Sequence, residues 1–163
     1  MDFRRKLQSL EKIISMGEKL LTTFDVTELL DALVDSVSSL LDSEGATLYL
    51  VDPFEKCLTS QSIHADGIKE VTVEINNRSI AGYTALNRVS INISDAYGDL
   101  SHIHPELKFN RHYDEVSGRK TRNLITHPLL INDELIGVFQ VINKKNGDFD
   151  ESDQIVLKNF SLV

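Results

Sequence analysis

The sequence predicts an α+β fold: a central antiparallel sheet, helices from both ends of the chain on one face, and a short helix with a long polar segment on the other. Three features carry this. Apolar residues recur at helical spacing near both ends, whereas the middle is a series of short, β-branched runs. Hairpin-length links between those runs pair strands antiparallel. Residues 79–118 are then left to cover the second sheet face, and a pocket under such a segment is a usual place for a small ligand.

A first helix is expected from about Asp2 to Leu21. Phe3, Leu7, Leu10, Ile14, Gly17 and Leu21 follow a heptad seam, with Ile13, Met16 and Leu20 as a second apolar edge. A stripe this wide suits a helix held between two partners. Residues 1–22 are therefore read as a dimerisation and signalling helix, joined to a domain over 23–163. A second helix starts with a capping-box pair, Asp25 and Glu28, flanked by Phe24 and Leu29 as a hydrophobic staple. Its wide face is Val26, Leu29, Leu30, Leu33, Val34, Val37, Leu40 and Leu41.

Strands are expected at Ala46–Val51, Cys57–Ile63 and Val71–Ile75, the first two joined by a turn at Asp52-Pro53. Ser79 can cap a short helix over Ile80–Leu86, and Val89–Ile93 reads as a short strand. Residues 95–118 are polar and turn-rich. With Gly98, several histidines and few apolar anchors, 98–118 should open at low free energy. Strands over Asn123–Ile131 and Leu135–Ile142 follow, joined by Asn132-Asp133-Glu134. Asp150 and Asp153 then start a helix carrying Ile155, Val156, Leu157, Phe160 and Val163.

A chain of 163 residues fits one domain with an appendage, and 41% hydrophobic with 26% charged content is that of a soluble globular protein. The net charge of −8 disfavours nucleic acid and anionic membranes. No run approaches a spanning helix, and no signal peptide is evident. One cysteine, Cys57, forms no internal disulfide and favours a cytoplasmic setting.

The segment Asn143-Lys144-Lys145-Asn146-Gly147-Asp148-Phe149, followed by Asp153, resembles the Asn-Lys…Phe-x-x-x-Asp-Glu signature of GAF domains, with Gln154 where the signature has Glu. Three further segments are similar to the GAF domains that regulate cyclic-nucleotide phosphodiesterases and some nucleotide cyclases. These are Ser79–Asn87, with Ile80-Ala81-Gly82; Val89–Tyr97, with Asn92-Ile93-Ser94-Asp95-Ala96-Tyr97; and Ser117–Asn123, with Thr121-Arg122-Asn123. The four stand in the family's order. The resemblance covers about Phe24 to Val163 and implies the GAF fold, a sensory role and no catalysis.

It also implies roles. Asn143, Lys144, Phe149 and Asp153 would form a structural motif, with Lys144 and Asp153 tying the last strand to the last helix. Members that bind cyclic nucleotides line their pocket at positions that fall here on Thr47, Ile63, His64, Ile80, Ala81, Asp114, Ser117, Thr121 and Gln140. Ile63 would stack on the base, and Thr47 and His64 would read its edge. Ile80 and Ala81, at a helix start with free N–H groups, would meet the cyclic phosphate. Ser117 and Thr121 would sit near ribose and phosphate, and Gln140 on the floor. His64 replaces an acid and Gln140 replaces Glu, changes that either shift the preferred base or abolish nucleotide binding. The segment Asp95–Gly118 is roughly seven residues longer than the family pattern, which alters the lid.

Small residues at Ile80-Ala81-Gly82 admit two explanations, approach of an anion or helix–sheet packing. A metal at His102, His104 and His112 with Asp99, Glu106 and Asp114 is a weak pattern that solvated loop histidines explain better. Some GAF domains attach a bilin through Cys or reduce methionine sulfoxide with several cysteines. Cys57 lies outside the pocket segments and reads as a core residue. The expected function is thus a non-enzymatic sensor of a small molecule, cyclic AMP or cyclic GMP among the candidates. It is expected to be a homodimer through its terminal helices, in the cytoplasm, with an output domain beyond Val163. A ligand-free dimerisation module is the first alternative, and a GAF-fold enzyme the second.

Overall fold

The computed structural model of the chain describes residues 4, 8–13, 26–64 and 67–161. Residues 8–13 are helical, within the expected N-terminal helix. Most of that helix, and the Phe24 and Asp25 part of the next capping signal, lie outside the described residues.

The elements run α1 (Val26–Leu40), β1 (Ser43–Asp52), β2 (Cys57–His64), β3 (Gly67–Glu74), α2 (Ile80–Asn87), β4 (Ile91–Ile93), α3 (His112–Ser117), β5 (Leu124–Ile131), β6 (Glu134–Lys144) and α4 (Glu151–Ser161). The six strands form one sheet in the order β3-β2-β1-β6-β5-β4, every neighbouring pair antiparallel. Local chemistry sets the hairpins. Asp52 accepts from the amides of Phe54 (2.8 Å) and Glu55 (3.0 Å), which closes the β1–β2 turn. Asn132 and Asp133 both have positive φ, the two-residue turn whose twist matches the hairpin, and Ile131 pairs with Glu134.

Side-chain alternation along the central strands builds two cores. Leu48, Ile125, Phe139 and Val141 point to one face, where Val37 and Leu41 at the end of α1 and Leu157 of α4 cover them. Helices α1 and α4 thus share a face. On the other face, Tyr49, Leu58, Val71 and Val138 pack on Ala81 and Ala85 of α2. Thr84 and Thr126, both fully buried, share a 2.6 Å hydrogen bond that ties α2 to β5.

The segment after β4 corrects an expectation. Its aliphatic residues are spaced without period and read as loop, yet Ala96, Leu100 and Leu107 are buried, with Ile103 and Phe109 packed beside them. They form a satellite core with Ile80, Ile91, Ile93 and Leu124. Anchors are therefore plentiful over 96–109. Only the following stretch fits the expected loose segment, and it contains a helix, α3, in which no residue is buried. Strand β3 also begins four residues earlier than the alternation at Val71 marked, because Gly67–Glu70 pair with Gln61–His64.

Candidate functional site

The family-type motif at the end of β6 is a network of hydrogen bonds that joins β6 to its neighbours and to α4. Asn143 has φ 58° and is fully buried. Its side chain accepts from Arg122 N (2.7 Å) and donates to Glu44 Oε2 (2.9 Å) and Lys120 O (3.0 Å). A left-handed residue with three satisfied bonds suits asparagine, which tolerates that backbone region better than other side-chain-bearing residues. Lys144 Nζ donates to Asp153 Oδ1 at 2.7 Å. Asp150 and Asp153 exchange reciprocal bonds, each carboxylate accepting from the other's amide at 2.9 Å. Phe149 is buried in the core between sheet and terminal helices. Asn123 completes the tie, accepting from Lys144 N and donating to Gly147 O and Asp148.

A second network holds the lid. Asp114 of α3 accepts from Tyr97 Oη (2.6 Å), Thr121 N (2.7 Å) and Thr121 Oγ1 (2.8 Å). The hydrogen bond to Asp114, then burial, raises the Tyr97 phenol above its ordinary value. Arg111 and Lys120 lie 4.3 and 4.9 Å from the Tyr97 ring centre, a cationic pair on the same latch. Ser117 Oγ accepts from Arg119 N (3.2 Å), just past the α3 C-cap Gly118. Thr121 and Ser117, expected near the ribose and phosphate of a ligand, are thus engaged in holding the lid together.

Two cavities adjoin beneath this lid. The wider, about 870 Å³, is lined by Thr47, Tyr49 and Gln140 of the sheet and by Tyr113, Asp114, Ser117 and Thr121 of the lid. The narrower, about 380 Å³, lies at the start of α2, against Arg78, Ser79, Ile80, Ala81 and Lys108. Tyr49, Phe109, Asn110, Tyr113 and Gln140 border both. Seven of the nine predicted positions therefore meet here, and Thr47 and Gln140 are direct cross-strand partners. Ile63 and His64 pair with Ile68 and Gly67 in the β2–β3 hairpin, and their side chains lie outside the described residues.

The wider cavity has an unexpected wall. Strand β1 pairs with β2 only over Leu50–Asp52, opposite Cys57–Thr59, while β2 pairs with β3 along its whole length. Beyond Thr59 the hairpin leaves β1, and the cavity passes between the strands to Leu30, Asp31, Val34 and Asp35 of α1. Nothing in the hydrophobic pattern marks this parting. Its carboxylates, Asp31, Asp35, Glu70 and Asp114, outnumber Arg119. The narrower cavity has the opposite balance, Arg78 and Lys108 against Glu74.

Ser79 caps α2 by accepting from Gly82 N at 3.1 Å, and Ser79 O takes the amide of Tyr83. The amides of Ile80 and Ala81 have no acceptor among the described residues. Gly82 itself is explained by packing: a Cβ there would stand 2.3 Å from Glu74 O and 2.9 Å from Asn76 O. Tyr49, which the sequence did not single out, lies between the two cavities. The histidines of the lid stand apart in separate contacts: His104 Nδ1 accepts from Glu106 N, and the His112 ring meets Tyr113 edge-on at 5.4 Å.

The family model described as GAF domain matches residues 25–162. This chain belongs to the GAF domain family. Among curated proteins the domain is 28% identical over 135 residues to "Probable 3',5'-cyclic phosphodiesterase pde-5" of Caenorhabditis elegans, covering 76% of this chain and 17% of that protein. It is 30% identical over 175 residues to "Dual 3',5'-cyclic-AMP and -GMP phosphodiesterase 11" of Drosophila melanogaster, covering 96% of this chain and 11% of that protein. The chain thus spans a small part of the length of these relatives. Among solved structures, the GAF domain from an Acinetobacter phosphoenolpyruvate-protein phosphotransferase superposes with a TM-score of 0.65 at 15% identity, over 94% of this chain and 88% of that one, a likeness of fold. A GAF domain is typically a regulatory module that binds a small molecule. No helix among the described residues is long and apolar enough to cross a membrane.

Proposed function

We propose that this GAF domain is a non-catalytic sensor in a larger cytoplasmic signalling protein, binding an anionic molecule of mononucleotide size, with cyclic AMP and cyclic GMP as the first candidates. The carrying observation is the convergence of Thr47, Ile80, Ala81, Asp114, Ser117, Thr121 and Gln140 on two adjoining cavities. The anion belongs in the narrower cavity, where free amides at a helix start and two cations favour negative charge. The uncharged remainder belongs in the wider one, whose carboxylates disfavour a second anion. Cys57 is buried and borders neither cavity, which speaks against a cysteine nucleophile at this site.

A ligand that takes Asp114 or Thr121 as a partner competes with the bonds of the Asp114 latch. A ligand in the wider cavity also touches α1 through the parting of β1 and β2, so it can favour one arrangement of the terminal helices over another. Those helices are the proposed route to a homodimer and to an output domain. Calorimetric titration with each cyclic nucleotide tests the ligand: no heat and no thermal shift at millimolar concentration rejects the nucleotide reading. Sedimentation tests assembly. A dimer weakened by Leu10→Glu with residues 24–163 still folded is expected, and a monomer at high micromolar concentration rejects it.

The latch favours one second reading, a ligand-free dimerisation module. Asp114, Tyr97 and Thr121 satisfy one another without a guest. Native mass spectrometry separates the two by showing whether a small molecule survives purification.

A further inference from the structure

Tyr49 carries a hydroxyl that the fold leaves unspent. The residue is 7% exposed, set among Leu58, Val71, Ala81, Ala85 and Val138. Its phenol makes no hydrogen bond with the described residues, and it borders both cavities. Several other buried hydroxyls are used, Thr84 with Thr126, Thr121 on Asp114 and Ser161 on Leu157 O, whereas that of Ser60, which lines the wider cavity only, makes no hydrogen bond with the described residues. Phenylalanine would fill the same apolar setting, and the hydroxyl, unlike the buried Nδ1 of His127, is not sealed off: it keeps accessible surface beside the cavities that the residue borders. Burial, and Tyr113 above it, push the phenol up to about 12, which keeps it a neutral O–H donor at physiological pH. Gln140, two residues beyond Tyr49's partner Val138 on the same face, also borders both cavities.

We infer that the Tyr49 hydroxyl is a specificity-determining ligand contact. It donates to an acceptor, a ring nitrogen or carbonyl oxygen, in the midsection of a molecule bridging the two cavities with its anionic end toward Arg78 and Lys108. This rests on the sensor reading above and adds a contact that its motif positions do not include. A molecule confined to one cavity would leave the hydroxyl at the junction unused. A bridging one covers it and satisfies it.

The experiment compares the full chain with Tyr49→Phe, by thermal melting without ligand and by calorimetry with cyclic AMP and cyclic GMP. The melting temperature should stay level or rise, since a hydroxyl without a partner in the free protein has nothing to lose. Affinity for whichever nucleotide binds should fall about 10-fold. A melting temperature lowered by more than about 4 °C would make the hydroxyl structural and overturn the inference. Equal affinity in the two proteins would overturn it while leaving the sensor reading intact. Absence of binding of either nucleotide to the unsubstituted chain would overturn the inference together with the nucleotide reading.

Discussion

Lys144 Nζ lies 2.7 Å from Asp153 Oδ1 across the turn between β6 and α4, with the side chains only 18% and 10% exposed. At that burial the pair is worth more than a surface ion pair, and breaking it from one side strands the other charge. Asp153 also accepts from Asp150 N, so its loss frees a helix-start amide as well. Asp153→Ala should destabilise by about 2–4 kcal/mol. Removing both charges with Lys144→Met and Asp153→Asn should cost less than the two single changes together, which denaturant unfolding of the four proteins measures.

Gly82 distinguishes packing from anion approach. A Cβ at this position meets two backbone carbonyls that belong to β3 and the turn before α2, and neither can swing aside as a side chain would. Gly82→Ala should lower stability by about 1–3 kcal/mol in the absence of any ligand. A stable variant that fails only in ligand binding would restore the anion explanation.

The lid should divide into two parts in hydrogen exchange. Leu100, Leu107 and Ala96 hold the first part, and Leu107 N and Lys108 N are bonded to His104 O and Arg78 O. Helix α3 has no buried residue and depends on the Asp114 bonds. Amides of 112–118 should exchange fast, and the bonded amides of 96–109 measurably slower. Asp114→Asn should speed exchange at 112–121 while leaving 96–109 nearly unchanged.

His127 predicts a pH dependence. Its ring lies in the sheet face under α4, and its buried Nδ1 has no hydrogen-bond partner among the described residues. Burial, then Lys158, lowers its pKa from the ordinary 6.5. The folded state therefore resists a proton that the unfolded chain accepts below pH 6.5. The neutral histidine's contribution is complete above that value and is lost as pH falls through the lowered folded pKa. Melting temperature should drop on acidification from pH 7 to pH 5, and His127→Phe should flatten that part of the profile.

Much of the fold was legible because its signals are local. Turn residues at Asp52-Pro53 and Asn132-Asp133, the Ser79 cap and the Asp150–Asp153 pair each act within a few residues, so spacing alone exposed them. The motif Asn143, Lys144, Phe149 and Asp153 was legible through resemblance, though the three bonds of the Asn143 side chain were not. They reach Glu44, Lys120 and Arg122, which are remote in sequence.

The sequence by itself determined the α+β class, the approximate strand positions, the shared face of α1 and α4 and the family. Period and turn chemistry are properties of short segments, and they survive without knowledge of the partner. Only the tertiary structure decided the rest. The satellite core of Ala96, Leu100 and Leu107 has no period to betray it. The Asp114 latch joins residues whose hydrogen bonds could equally have gone to a ligand. The parting of β1 from β2 leaves each strand's own pattern unchanged. Tyr49 reads as one more core aromatic until it is found to border two cavities. Each depends on which groups meet after collapse, and hydrogen-bond partners and empty space are set by packing across the whole chain.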